Sequence, residues 1–387
     1  MSNIKALDAK YIAGTYGRLP VEIVSGKGSV VFDENGKEYI DMGSGIGVTA
    51  FGLCDDKWVA AVEAQLAKVQ HMSNLYYTEP CVRLAELLCE RTGMSKVFFG
   101  NSGAEANECA IKVARKYAAE KKGNDHYKII TLENSFHGRT LTTLAATGQT
   151  HYHELFQPLT DGFIHTPAND IDALKAIVKE NKVAAILIEC IQGEGGVLPV
   201  SREFLLAAAD IAKEEDILLM IDEVQTGNGR TGKLYAYMNY GVEPDVVTTA
   251  KGLGGGLPIG ACLMSKKVES VLGKGDHGST YGGNPVCSAG AVSIIERIDD
   301  ALLDEVKAKS KYVFEAFEGA EGVESVSGMG LMIGIKTVKP ASEVLMKCIE
   351  DGVLCLTAKD KIRLLPALNI PMDVLKKAVE IIKKACI

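Results

Sequence analysis

No apolar stretch in this chain is longer than a strand requires, and the opening Met1-Ser-Asn-Ile-Lys5-Ala-Leu-Asp-Ala-Lys10 contains no signal-peptide core. Neither a membrane span nor secretion is therefore expected, and the cytoplasm is the expected location. Basic runs are missing as well, and nothing interleaves aromatic with basic residues. Together with a net charge of -8 and a pI near 5.5, this argues against nucleic acid as a partner. The ten cysteines include no Cys-x-x-Cys pair, and several fall on expected helix or strand faces, as reduced core thiols do. His151-Tyr-His153 lacks a third convergent ligand, so no metal is expected. Repeats, low-complexity tracts and proline-rich linkers are also lacking. What is present is a chain of 387 residues, longer than one core usually serves. Two structural domains, or a large one with a smaller one attached, are expected.

The middle of the chain alternates between helical and strand patterns. Trp58, Val59, Val62, Leu66 and Val69 mark one amphipathic helix and Val82 to Leu88 another, ahead of a strand ending at Gly100. Further strands are expected at Lys128 to Leu132, Val183 to Cys190, Ile217 to Ile221, Val246 to Thr249 and Ile259 to Met264. Helical segments at Glu105 to Lys121, Ile171 to Lys179 and Arg202 to Glu214 separate several of them. This is the α/β pattern of a mostly parallel sheet covered on both faces. Outside this region the pattern changes. A small hairpin over Ser29 to Asp41 turns at Glu34-Asn-Gly36, and the tail from Ala301 holds helices around short strands at Leu331 to Lys336 and Ile362 to Leu365. The expected division is 1–50, 51–286 and 287–387, with the N-terminal segment joining the C-terminal small α+β domain.

Three local features carry chemistry. In Asp245-Val-Val-Thr-Thr-Ala-Lys251-Gly-Leu-Gly-Gly-Gly256 a lysine stands where a buried strand runs into a glycine loop. A buried ammonium is normally paired, deprotonated or covalently used. A lysine of depressed pKa can condense with an aldehyde, and the glycines would let a bulky ring approach the backbone. A surface lysine on an ordinary turn is the plainer alternative. Second, the apolar run Ile217-Leu-Leu-Met-Ile221 ends in Asp222-Glu-Val-Gln225, which puts a carboxylate at a strand tip, where ligands of open α/β sheets collect. Asp222 would supply the anion that a pyridinium nitrogen needs, and Gln225 a hydrogen bond to the ring's phenolic oxygen. A helix-capping aspartate is the alternative. Third, the strand Lys96 to Gly100 leads through Asn101-Ser102-Gly103-Ala104-Glu105 into a helix. Ser102, Gly103 and Ala104 would cradle a phosphate on free backbone N–H groups, unless Ser102 is only an N-cap. Aldehyde, ring cation and phosphate are the three poles of pyridoxal 5'-phosphate.

The motifs Asn101-Ser-Gly-Ala-Glu-Ala-Asn-Glu-Cys-Ala-Ile-Lys112, Phe136-His-Gly-Arg139-Thr, Asp222-Glu-Val-Gln-Thr-Gly, Lys251-Gly-Leu-Gly-Gly-Gly and Gly278-Ser-Thr-Tyr-Gly-Gly-Asn-Pro285 occur in this order. Together they resemble the class III, fold-type I pyridoxal-phosphate aminotransferases, and most closely the acetylornithine branch, from Tyr16-Gly-Arg-Leu-Pro20 to Arg363-Leu-Leu-Pro366. The resemblance implies a homodimer with active sites at the subunit interface. It also implies that Phe136 stacks on the cofactor ring and that Thr280 reaches the phosphate of the neighbouring subunit's cofactor. Ser279 and Tyr16 would lie beside substrate, and Arg139 would hold its α-carboxylate. Arg363 would pair with Glu194 and release to bind 2-oxoglutarate or glutamate. Phe136 could instead be ordinary core, Ser279 and Thr280 could merely shape a turn, and Glu194–Arg363 could be a permanent ion pair.

The activity so implied is ping-pong transfer of the terminal amine of N2-acetyl-L-ornithine to 2-oxoglutarate, giving N-acetyl-L-glutamate 5-semialdehyde and L-glutamate, a step of arginine biosynthesis. Lys251 would act as both anchor and general acid/base. Succinylornithine, ornithine, succinyl-diaminopimelate and 4-aminobutyrate remain alternative amine donors. Three departures from the family pattern stand out. Gly52-Leu-Cys-Asp-Asp56 replaces a Gly-His-x-His-Pro block, Ala104 stands where threonine is frequent, and Ile46 stands where ornithine-specific relatives present tyrosine. A nicotinamide-dependent oxidoreductase is the competing class, prompted by Gly328-Met-Gly330-Leu-Met-Ile-Gly334. That cluster is flanked by a strand and does not open a helix, which the dinucleotide fingerprint requires.

Overall fold

The computed structural model describes residues 4–387. Its centre is a seven-stranded sheet, ordered along the sheet as Lys96–Gly100, Gly260–Met264, Val246–Thr249, Leu218–Asp222, Val183–Ile188, Lys128–Leu132 and Phe163–Thr166. All neighbours pair in parallel except Gly260–Met264, which runs antiparallel to both strands beside it. Every residue of Val183–Ile188 and Leu218–Asp222 is buried, as expected for parallel strands covered on both faces. Their apolar runs are therefore continuous rather than alternating. The edge strand Phe163–Thr166 has no such run, and sequence periodicity did not reveal it.

Helices cover the sheet where the sequence has the matching apolar stripe. Gly103–Lys122 buries Ala106, Cys109, Ala110, Val113 and Tyr117, and the small residues among them bring the helix close to the strands beneath it. The Gly52–Asp56 departure has a structural use here. Asp55 caps the helix Asp56–Leu66 by accepting from Trp58 N–H at 2.9 Å, and it pairs with Arg297 at 2.8 Å.

The chain ends form two smaller sheets. Ile23–Lys27, Val30–Asp33 and Glu38–Asp41 make an antiparallel meander, and Val353–Leu354 joins its edge in parallel, Val353 facing Ile40. N- and C-terminal segments thus share a sheet. The other small sheet, Val323–Met329, Met332–Thr337, Lys361–Leu364 and Leu356–Ala358, is antiparallel throughout. The glycine cluster at 328–334 turns its first hairpin. Gly330 has a φ of 60°, and a Cβ there would meet Arg230 O at 2.3 Å. Among the described residues no helix is long and apolar enough to cross a membrane.

Candidate active site

Parallel strands deliver their C-terminal ends to one edge of the sheet, and the chemistry gathers there. A cavity of about 620 Å³ opens at that edge. Asp222 ends its strand, Glu189 directly follows Val183–Ile188, and Lys251 comes two residues after Val246–Thr249. Ser102, Gly103, Ala104, Phe136, Arg139, Glu194, Gln225 and Tyr16 reach the same cavity. Arg363 meets it from behind, through Glu194.

Asp222 is surrounded by hydrogen-bond donors. Its Oδ2 accepts from Asn107 Nδ2 and His137 Nδ1, both at 2.8 Å, and its Oδ1 from the Val224 N–H at 3.0 Å. Asn107 is itself oriented, because its Oδ1 accepts from Thr248 Oγ1 at 2.7 Å while its Nδ2 also reaches His137 O. Burial works against a charged His137, yet the hydrogen bond and charge of Asp222 outweigh it and hold the imidazole pKa above its usual value.

Lys251 begins a single 3-10 turn with a φ of 46°. Asn228 Nδ2 fixes the approach to it by donating to Thr249 Oγ1 at 3.0 Å and Ala250 O at 3.1 Å. Burial lowers the Lys251 pKa, and Glu194 and Asp222 only partly offset this. The amine is thus nearer to its nucleophilic form than an exposed lysine would be. The glycines after it do a different job from the one expected. A Cβ at Gly254 would meet Leu257 O at 2.1 Å, and one at Gly255 the Trp58 ring at 2.9 Å. They admit neighbouring protein atoms, and only Gly256 lines the cavity.

Ser102 is the N-cap of the helix Gly103–Lys122. Its side chain caps the helix by accepting from Glu105 N–H at 3.2 Å, and Glu105 reaches back to Asn101 N–H at 2.6 Å. Gly103 and Ala104, the next two residues, line the cavity at the positive end of that helix dipole. Gly103 must be glycine, since a Cβ would lie 2.6 Å from Val224.

On the opposite wall the Arg139 guanidinium is exposed and lies over the Tyr152 ring at 4.1 Å and the Phe136 ring at 5.2 Å. Phe136 is half-buried and faces the cavity. Arg363 is buried, and its Nη1 donates to Glu194 Oε1 at 2.6 Å and to Gln225 Oε1 at 3.1 Å. Gln225 Nε2 closes the triangle on Glu194 at 3.4 Å. Burial alone would raise the Glu194 pKa, but Arg363 reverses this and the carboxylate stays ionised.

Ser279 and Thr280 do not line this cavity. Ser279 Oγ shapes its own turn by accepting from Gly282 N–H at 2.9 Å, and it also accepts from Asn101 Nδ2 at 3.1 Å; Thr280 is exposed. His153 Nε2 donates to the carbonyls of Leu144 at 2.9 Å and Thr147 at 2.8 Å. Ile46 lies in a left-handed turn, Ser44 to Gly47, with a φ of 66° that a β-branched residue rarely adopts. Sequence reasoning gave no role to Asn107, His137 or Glu189.

A parallel-sheet edge that presents a buried lysine, a fixed carboxylate and a helix start is the architecture of a transaminase, and the chain belongs to the class-III aminotransferases: the family model described as Aminotransferase class-III matches residues 11–386. Among curated relatives, an acetylornithine aminotransferase of Haemophilus ducreyi is 49% identical over 381 residues, covering 98% of this chain and 97% of that one. The N-acetylornithine aminotransferase structure from Stenotrophomonas maltophilia matches with a TM-score of 0.85 at 34% identity, over 98% of this chain and 97% of that one. An ornithine aminotransferase from Toxoplasma gondii, with PLP at partial occupancy in its active site, gives 0.94 at 31% identity, over 99% and 93%. Pyridoxal phosphate is the cofactor of this family, and the donor set suits it. Asp222 offers an anion for a ring cation, the Ser102–Ala104 helix start offers positive potential for a phosphate, and Lys251 offers an amine for an aldehyde.

Proposed function

We propose that this protein moves the terminal amine of N2-acetyl-L-ornithine onto 2-oxoglutarate, with pyridoxal 5'-phosphate as cofactor. The observation that carries this reading is the convergence of Lys251, Asp222 and the Ser102–Ala104 helix start on one cavity that also presents Arg139 and the Glu194–Arg363 pair. When bound, the cofactor supplies an electron sink for the carbanion formed at the substrate carbon. Asp222, positioned by His137 and Asn107, would present its carboxylate to a protonated ring. Ser102, Gly103 and Ala104 would hold its phosphate, Phe136 would pack on its ring, and Gln225 would offer its amide to the phenolic oxygen. Lys251, its pKa lowered by burial, holds the cofactor at rest and moves the proton at the substrate carbon during turnover.

The arginines divide the substrates. Arg139 lies exposed at the cavity wall and offers a planar fork to the α-carboxylate of acetylornithine, with Tyr16 beside it. While Glu194 neutralises Arg363, the pocket accepts the uncharged chain carrying the terminal amine. When Glu194 lets go, Arg363 takes the α-carboxylate of 2-oxoglutarate. Thr280 and Ser279 would serve a second subunit's site, which makes a homodimer part of the reading. A cytoplasmic location agrees with ten cysteines that are all free thiols. The same reading keeps the division into 1–50, 51–286 and 287–387, supported by the pairing of Val353 with Ile40.

Single-turnover absorbance of the loaded enzyme tests both parts. N2-acetylornithine should convert the cofactor faster than ornithine or 4-aminobutyrate does. Glu194→Ala should slow the acetylornithine half-reaction by about tenfold more than the glutamate half-reaction, a barrier difference of about 1.4 kcal/mol. Equal slowing of both halves would refute the switch, and preference for another amine would refute the substrate.

A further inference from the structure

Glu189 lies against the cavity without a part in the chemistry above. Ile188 pairs with Ile221 in the parallel sheet, so Glu189 and Asp222 stand side by side at neighbouring strand tips. Both are buried, at 6% and 3% exposure. Two adjacent buried carboxylates do not ionise together cheaply. Three donors point at Asp222, two of them side chains. Glu189 has only backbone donors. Its Oε2 accepts from the Phe136 N–H at 2.9 Å and its Oε1 from the Gly193 N–H at 3.3 Å.

Those two N–H groups belong to different loops. Phe136 leads into His137 and Arg139, the segment that carries the exposed guanidinium. Gly193 precedes Glu194, the partner of Arg363, and packs against the Gln225 amide, which a Cβ there would meet at 2.4 Å. Elsewhere the loops are joined by Gln192 Nε2 donating to Glu133 O at 2.7 Å, and Gly195 packs against Asn134 O. Losing Glu189 therefore frees the part nearest the cavity without detaching the loops.

On the reading of this cavity as a transaminase site, we propose that Glu189 is a positioning residue for both substrate-carboxylate arginines, its carboxylate tying the Phe136–Arg139 segment to the Gly193–Glu194 turn. A single side chain then sets where Arg139 stands relative to the Glu194–Arg363 pair, and recognition of both substrates depends on it. The tie responds to pH. Burial pushes the Glu189 pKa up to about 7; His137 pulls it down, Asp222 pushes it further up, and the two N–H donors pull it down. Lys251 faces it across the cavity and the Cys190 thiol follows it in the chain. Protonated, Glu189 offers one carbonyl oxygen and a weaker hydroxyl acceptor. Ionised, it offers two charged acceptors, so the tie tightens as pH rises through this range.

Amide hydrogen exchange on cofactor-free protein tests the tie directly. In Glu189→Ala the Phe136 and Gly193 N–H groups should exchange about tenfold faster than in wild type, the effect of one lost hydrogen bond each, while the sheet strands keep their protection. Glu189→Gln retains one carbonyl acceptor and should protect one of the two. In the loaded enzyme, KM for the amine donor and for 2-oxoglutarate should rise together in both variants, by more than kcat falls. The wild-type KM should decrease between about pH 6 and pH 8, and this trend should flatten in Glu189→Gln. Unchanged exchange at both N–H groups in Glu189→Ala would overturn the tie, and faster exchange with both KM values unmoved would overturn its role in recognition. Failure of the transaminase reading would show separately, as wild-type protein that turns over no amine donor whatever the exchange result.

Discussion

Glu223 stands beside Asp222 in the chain yet does structural work. It is fully buried and accepts from Thr226 Oγ1 at 2.6 Å and from the Tyr237 N–H at 2.8 Å, which fixes the loop that follows the strand. Burial lifts its pKa to about 7 against those hydrogen bonds, with the Asp222 charge adding to the rise. An unfolded glutamate titrates near 4.3, so the native state keeps a proton that the unfolded chain gives up across this interval. Its contribution to stability is full below the unfolded pKa and is lost as pH climbs through the native one. The loss is up to roughly 4 kcal/mol for a shift of this size. Glu223→Gln mimics the protonated form. Urea unfolding of the variant should therefore show a smaller fall in stability between about pH 5 and pH 8 than wild type, and an equal fall would refute a proton on Glu223.

At the scale of elements, Arg230 joins the central sheet to the C-terminal hairpin. It is buried, and its Nη1 donates to Leu331 O at 3.2 Å and to Pro366 O, just beyond the strand Lys361–Leu364 that carries Arg363. Its own carbonyl accepts from the Leu331 N–H at 2.9 Å. Burial lowers its pKa to about 10, which leaves it charged at neutral pH. Arg230→Ala should cost about 2–3 kcal/mol by urea unfolding, for stranding two buried carbonyls, and should weaken 2-oxoglutarate binding through Arg363. A loss below about 0.5 kcal/mol would show that the clamp is not needed. Elements of this kind differ in how far the sequence reveals them. The buried parallel strands and the helix Gly103–Lys122 were legible because an unbroken apolar run or a 3.6-residue stripe marks them. Val353–Leu354 and Leu356–Ala358 were not, since two or three residues carry no period and only the partner strands define them. The site shows the same contrast. Lys251 and Asp222 stand out by their context, and Glu189 follows Ile186-Leu-Ile188 as Asp222 follows Leu219-Met-Ile221, a matching signal at the neighbouring strand tip. The tie through Glu189 was hidden because it depends on two backbone N–H groups, which no residue type announces.

At the scale of the whole molecule, one exposed surface is strongly apolar. Leu75 is 85% and Tyr77 100% exposed, with Tyr76 and Tyr281 also bare, and Asn74 Nδ2 ties that segment to the 279–282 loop by donating to Ser279 O at 2.9 Å and Gly282 O at 3.0 Å. Exposed apolar patches of this kind mark association sites, and this one includes the loop bearing Thr280. Replacing Leu75 and Tyr77 together with aspartate should shift sedimentation from dimer to monomer and loosen the hold on the cofactor. A wild-type protein that sediments as a monomer would contradict the shared site. Both the fold and the arrangement at the sheet edge converge on the Lys251 amine, so its chemistry is the most direct test. Purified protein loaded with pyridoxal phosphate should be reduced with borohydride, digested and mapped. A pyridoxyl group on the peptide containing Lys251, absent from Lys251→Ala protein, is the expected result; stable attachment to a different lysine, or none at all, would contradict the account.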